Sequence, residues 1–157
     1  MTLSPHQLKL VLVEPQIAPN TGNIGRLCVA TGTALHLVRP LGFVLSDRQL
    51  KRSAMDYWDR LQLTVHDDLA AFLQATPQDR PGMWFFSSKG TRSFWEAEFS
   101  PSDWLIFGSE THGLPQTLVK QNVERTLTIP QVSGERCLNL ATAAGIGLFE
   151  ALRQVRP

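Results

Sequence analysis

Short apolar runs recur along the chain, separated by stretches in which apolar residues return every three or four positions. The runs occupy residues 9–13, 35–38, 61–65, 83–86, 104–107 and 126–129. They are continuous rather than alternating, the pattern of strands covered on both faces. Between them, Ile24, Leu27, Cys28 and Thr31 line one face of a helix that follows Asn20. Ser46 with Gln49 resembles a capping box before LKRSAMDYW. Asp67 is placed to cap a helix striped by Leu69, Phe72 and Leu73, and Pro115 suits the first turn of a helix through Leu118 and Val119. This alternation predicts an α/β fold: a mainly parallel six-stranded sheet with helices on both faces, in a single domain over residues 1–157.

The last predicted helix is unusual. Asn139 opens a segment containing Ala141, Ala143, Ala144, Gly145 and Gly147. Each glycine inside a helix costs roughly 1 kcal/mol relative to alanine. Such a cost is offset where another backbone, a subunit or a ligand comes very close, or by tight packing of helix on sheet.

Composition narrows the picture modestly. With 43% hydrophobic and 18% charged residues the chain reads as soluble, and a cytoplasmic location is the expectation. Cys28 and Cys137 are too few for a disulfide framework, and His6, His36, His66 and His112 are scattered, so no metal is expected. A net charge of +1 neither requires nor excludes nucleic acid. Arg48, Lys51 and Arg52 share one predicted helical face with Arg60 nearby, which serves either as a solvated surface or as a grip on phosphates.

Ligands in open α/β sheets collect at the carboxyl ends of the strands. Here the first strand runs into NTGNIGR, the fourth into SSKG, the fifth into GSETHG and the sixth into a loop after Pro130. TGNIGR is no dinucleotide fingerprint, GK[ST] is absent, and no acidic residue follows the second strand to hold a ribose. A nicotinamide oxidoreductase is thereby disfavoured. Arg26 lies about 200° around the helix from Ile24, so it projects away from the apolar stripe. Cys137 beside Arg136 is either an activated thiol or a lining residue.

Three segments resemble the signature motifs of the SPOUT superfamily of RNA methyltransferases: PNTGNIGRLC at 19–28, FGSETHGLP at 107–115 and IPQVSGERCLNLATAAGIGLFEALRQ at 129–154. The chain is most similar to the small, single-domain branch that methylates the ribose of the wobble nucleotide in tRNA, in which an element like Met55-Asp56-Tyr57-Trp58 is typical. The resemblance implies a C-terminal trefoil knot and a homodimer. It implies S-adenosylmethionine as cofactor, held at Phe86, Gly108, Ile129, Cys137, Leu138 and Asn139. It implies transfer of methyl to the 2′-hydroxyl of cytidine or uridine 34, with Arg26 orienting the substrate and Glu110, Arg136 and Asn139 shaping the site. Glu110 could equally be a loop anchor. Asn20, Arg48, Lys51, Arg52, Lys89, Arg92 and Arg136 are the expected contacts to tRNA. Another tRNA or ribosomal RNA site, or a knotted RNA-binding protein without catalysis, are the alternatives.

Overall fold

The computed structural model describes residues 2–46, 55–76 and 82–156. Its strands are β1 (Lys9–Val13), β2 (Ala34–Val38), β3 (Leu63–His66), β4 (Met83–Phe86), β5 (Arg92–Ser93), β6 (Trp104–Phe107) and β7 (Thr126–Thr128). They form one sheet in the order β3-β2-β1-β6-β4-β7-β5, and every ladder is parallel. Its helices are α1 (Ala18–Thr31), α2 (Leu69–Ala75), α3 (Gln116–Gln121) and α4 (Leu140–Val155), with a 3₁₀ helix η1 at Met55–Arg60.

Alternate side chains of the continuous apolar strands feed two cores. Leu10, Leu12, Leu35, Leu37, Leu105 and Phe107 pack with Ile24 and Cys28 of α1 and with Ala144, Leu148 and Ala151 of α4. Val11, Val13, Val38, Phe85 and Ile106 face the other way, against Phe72 of α2 and Leu118 of α3. Helices therefore cover both faces, as the unbroken apolar runs predict.

Several boundaries differ from the expectation. The sheet has seven strands, because the two-residue β5 pairs with β7 without any apolar pattern of its own. The strand expected at 61–65 is shifted to Leu63–His66, since the Leu61 N–H closes η1 on the Trp58 carbonyl. Asp68, not Asp67, caps α2 by accepting from the Ala71 N–H at 2.7 Å, while Asp67 pairs with Arg39. Helix α1 begins at Ala18, which places Asn20 inside its first turn, and Gly32 at φ 72° ends it. Pro115 stands at the N-cap of α3 rather than within it. The helix expected after Ser46 falls largely outside the described residues, and its end, Met55–Arg60, is 3₁₀.

Candidate active site

The carboxyl ends of β4, β6 and β7 open into a cleft of about 720 Å³, walled also by α3 and by the starts of α1 and α4. Phe86 and Phe107, the last residues of β4 and β6, line it as a stacked pair 4.5 Å apart. Beyond Phe107 the chain doubles back: Ser109 and Gly113 exchange two backbone hydrogen bonds, of 3.3 and 2.9 Å. Gly108 makes this reversal feasible, because a Cβ there would fall onto the backbone of Gly113 and Leu114. Gly113 itself sits at φ 65°, in the left-handed region that favours glycine.

One hydrogen-bonded chain fastens the three distant segments together. The Glu110 carboxylate accepts from the backbone N–H of Gln16 at 2.7 Å and of Ile17 at 3.1 Å. It also accepts from Asn20 Nδ2 at 3.2 Å. Asn20 Oδ1 in turn accepts from Asn139 Nδ2 at 2.9 Å. Asn139 Oδ1 caps α4 by accepting from the Ala141 and Thr142 N–H groups. Helix α1 has no cap of its own, and Glu110 supplies the negative charge that its N-terminus favours.

The expected cofactor residues Phe86, Gly108, Ile129, Cys137, Leu138 and Asn139 all line this cleft, together with Asn20, Glu110 and Lys89. Glu110 and Asn20 reach it as braces, their polar atoms engaged by the network above. Arg26, Arg92 and Arg136 do not line it. Arg92 is tied down by the carbonyls of Glu124 and Glu96 and lies over the Trp84 ring. Arg136 is exposed on the loop before α4, where its carbonyl accepts from Gln131. Arg26 is exposed on α1, six residues and so about 9 Å of helix beyond Asn20. Arg48, Lys51 and Arg52 lie outside the described residues.

Sequence reasoning missed Gln116, Val119 and Lys120, which present one face of α3 to the cleft. Their i, i+3, i+4 spacing is the signal that could have found them. Among the described lining residues Glu110 is the one carboxylate, against Lys89 and Lys120 on the cationic side. With Glu110 satisfied by three N–H donors, the cleft combines apolar walls at Phe86, Phe107 and Leu138 with hydroxyl, amide and lysine side chains, and can hold a ligand with an apolar body and polar groups. Cys137 is exposed at this cleft, whereas Cys28 is buried in the core, which pushes its thiol up to about 12. The described residues contain no cluster of three or more His, Cys, Asp or Glu able to hold a metal, and no helix long and apolar enough to cross a membrane.

The chain is similar to known proteins over nearly its full length. Residues 7–149 match the model of the SpoU rRNA Methylase family. A relative from Synechocystis sp. is 50% identical over 150 residues, covering 95% of this chain and 97% of its own. A tRNA (cytidine(34)-2′-O)-methyltransferase from Burkholderia pseudomallei is 44% identical, covering 92% and 94% of the two chains. A solved structure concerned with the 2-OH methylation of C/U34 on tRNA superposes with a TM-score of 0.91 at 46% identity, covering 96% of this chain and 97% of that one. The three motifs, the cleft they build and these likenesses agree: the chain belongs to the SpoU methylase family.

Proposed function

We propose that the protein is an S-adenosylmethionine-dependent tRNA methyltransferase acting on the 2′-hydroxyl of nucleotide 34, cytidine or uridine. The observation that carries this reading is the convergence of residues 19–28, 107–115 and 129–154 on one cleft, braced by Glu110, Asn20 and Asn139. The 44% identity to a cytidine-34 methyltransferase and the fold shared with a structure concerned with C/U34 methylation support the substrate.

S-adenosylmethionine, when bound, supplies an electrophilic methyl group on a sulfonium. Phe86, Gly108, Ile129, Cys137, Leu138 and Asn139 would hold it, and apolar walls beside polar side chains fit such a molecule. The ribose hydroxyl is a weak nucleophile until its proton leaves, so orientation and charge stabilisation are the catalytic tasks. The lining carboxylate of Glu110 is occupied by three donors, which leaves it an anchor rather than a free base. A guanidinium stays protonated at neutral pH, so Arg26 serves by orienting the substrate and stabilising developing negative charge. Lys89, exposed and lining the cleft, suits a phosphate contact, and Arg136, Arg92, Arg48, Lys51 and Arg52 are proposed as further contacts to tRNA phosphates.

The same reading includes a homodimer and a C-terminal knot. Ile146 and Phe149 are 37% and 53% exposed on the outward face of α4, and a Cβ on Gly145 would meet nothing nearer than Leu27 at 3.9 Å. A second subunit packed there would account for that small, apolar face, and replacing Phe149 by glutamate is expected to halve the mass seen by sedimentation. Working on tRNA, the protein belongs in the cytoplasm.

Methyl transfer from labelled S-adenosylmethionine into total tRNA tests the activity. The expected product is a 2′-O-methylated nucleoside at position 34, sharply reduced but still measurable in Arg26→Ala. Label in ribosomal RNA instead would move the substrate, and cofactor binding without any transfer would leave a binding protein.

A further inference from the structure

Tyr57 and Trp58 of η1 are not among the described residues that line the cleft, yet Tyr57 touches Arg26. The Arg26 guanidinium lies over the Tyr57 ring, 5.0 Å from its centroid, and the Arg60 guanidinium lies 5.6 Å from the same ring. The adjacent Trp58 fixes this placement. A Cβ on Gly25 would come within 3.3 Å of Trp58 Cζ3 and of Leu61 Cδ2, so η1 is seated on α1 one residue before Arg26. Neither arginine forms an ion pair among the described residues. Arg26 is therefore an exposed cation whose recorded partner is an aromatic face.

That kind of partner has a chemical consequence. A ring face attracts a guanidinium through its quadrupole but takes none of its N–H donors. A carboxylate would have consumed two of them and cancelled the charge. Held over the ring, Arg26 keeps its five donors available to an incoming oxygen. We propose that Tyr57 is a positioning residue for Arg26, its ring setting the guanidinium in the orientation used on the ribose hydroxyl or its phosphate. The inference rests on the methyltransferase reading for what Arg26 does, though not for how Arg26 is held.

The experiment has two readouts on the full-length protein. The first is side-chain nitrogen NMR relaxation at Arg26 Nε, recorded without substrate. Arg26 is expected to be ordered in the wild type and in Tyr57→Phe, which keeps the ring, and mobile in Tyr57→Leu. Equal mobility of Arg26 in wild type and Tyr57→Leu would overturn the proposal whatever the enzyme methylates. The second is steady-state methyl transfer to tRNA, with cofactor affinity and thermal midpoint measured alongside. Tyr57→Leu is expected to lower kcat about tenfold with the cofactor Kd unchanged, less than the roughly 100-fold that a misplacement of about 1 Å can cost. Tyr57→Phe should restore the rate, and adding Tyr57→Leu to Arg26→Ala should cost nothing more. An additional tenfold loss in that double variant would show that Tyr57 acts independently of Arg26 and would defeat the idea. A wild type that holds Arg26 rigid yet transfers no methyl to tRNA would leave the positioning role standing and remove the proposed activity instead.

Discussion

Gly108 and Asn139 show how far the shape of this cleft depends on close backbone approach and internal bracing. Gly108 permits the Ser109–Gly113 reversal, since a Cβ would collide with the backbone of Gly113 and Leu114 rather than with a side chain that could yield. Gly108→Ala is expected to open that loop and abolish cofactor binding measured by calorimetry, while the strands beneath keep their circular dichroism. Asn139 has two tasks, capping α4 and donating to Asn20 Oδ1. Asn139→Ala removes a cap worth about 1 kcal/mol and leaves the buried Asn20 oxygen without its donor, a further loss of about 1–3 kcal/mol. Urea denaturation should show a loss of roughly 2–4 kcal/mol in total. Asn139→Ser, which keeps a capping oxygen and cannot span to Asn20, should fall between the two; a Ser variant as weak as Ala would mean that the cap contributes nothing.

At the scale of elements, the sequence was informative wherever burial alone decides. Strands β1, β4 and β6 appear where continuous apolar runs predict them, and Ile24 and Cys28 of α1 are fully buried as their spacing requires. It misled where a distant group decides. The start of α1 carries no side-chain cap, and the N–H groups of Gln16 and Ile17 just before it are tied down by Glu110, more than ninety residues away, which no window of sequence can register. Likewise β5 exists only because β7 lies beside it. The α4 glycines divide in the same way. A Cβ on Gly147 would lie 3.0 Å from Phe86 Cζ and 3.2 Å from Phe107 Cζ, both rings being buried and stacked on each other. Overpacking of this kind costs about 1–3 kcal/mol, against about 1 kcal/mol gained in helix propensity. Gly147→Ala should therefore lower stability in urea. Gly145→Ala, whose Cβ would make only an ordinary van der Waals contact with Leu27 at 3.9 Å, should not, and a large loss at Gly145 in dilute protein would mean that its own chain crowds it after all.

Across the molecule, the feature least visible in the sequence is a pair of histidines that only sheet order brings together. His36 and His66 stand on neighbouring parallel strands, in register with Thr64 and Val38 respectively. Their rings stack at 5.2 Å with Nδ1 of one 2.9 Å from Nε2 of the other, against Trp104 and Phe72. One ring must donate and the other accept, so at least one lone pair has to remain unprotonated. Burial pushes His36 down to about 4, helped by the neighbouring His66 and Lys9. His66 is also lowered by burial, opposed by Asp67. Both therefore bind protons more weakly folded than unfolded. Between an unfolded value near 6.5 and the folded value near 4 the unfolded chain carries more protons, so stability rises with pH across that window and falls as it is acidified. Asp103 works in the opposite sense: its carboxyl is raised chiefly by burial, so its contribution to stability is lost as pH rises above the ordinary carboxylate range and offsets part of the histidine effect. The expected outcome is a urea midpoint that drops between neutral pH and about pH 5, with most of the drop removed in a His36→Gln, His66→Gln double variant. Parallel curves for the two proteins would place the acid sensitivity elsewhere. A flat curve for the double variant would instead locate it at this edge of the sheet, on the face opposite α1 and α4, where it can weaken the fold without touching the residues that line the cleft.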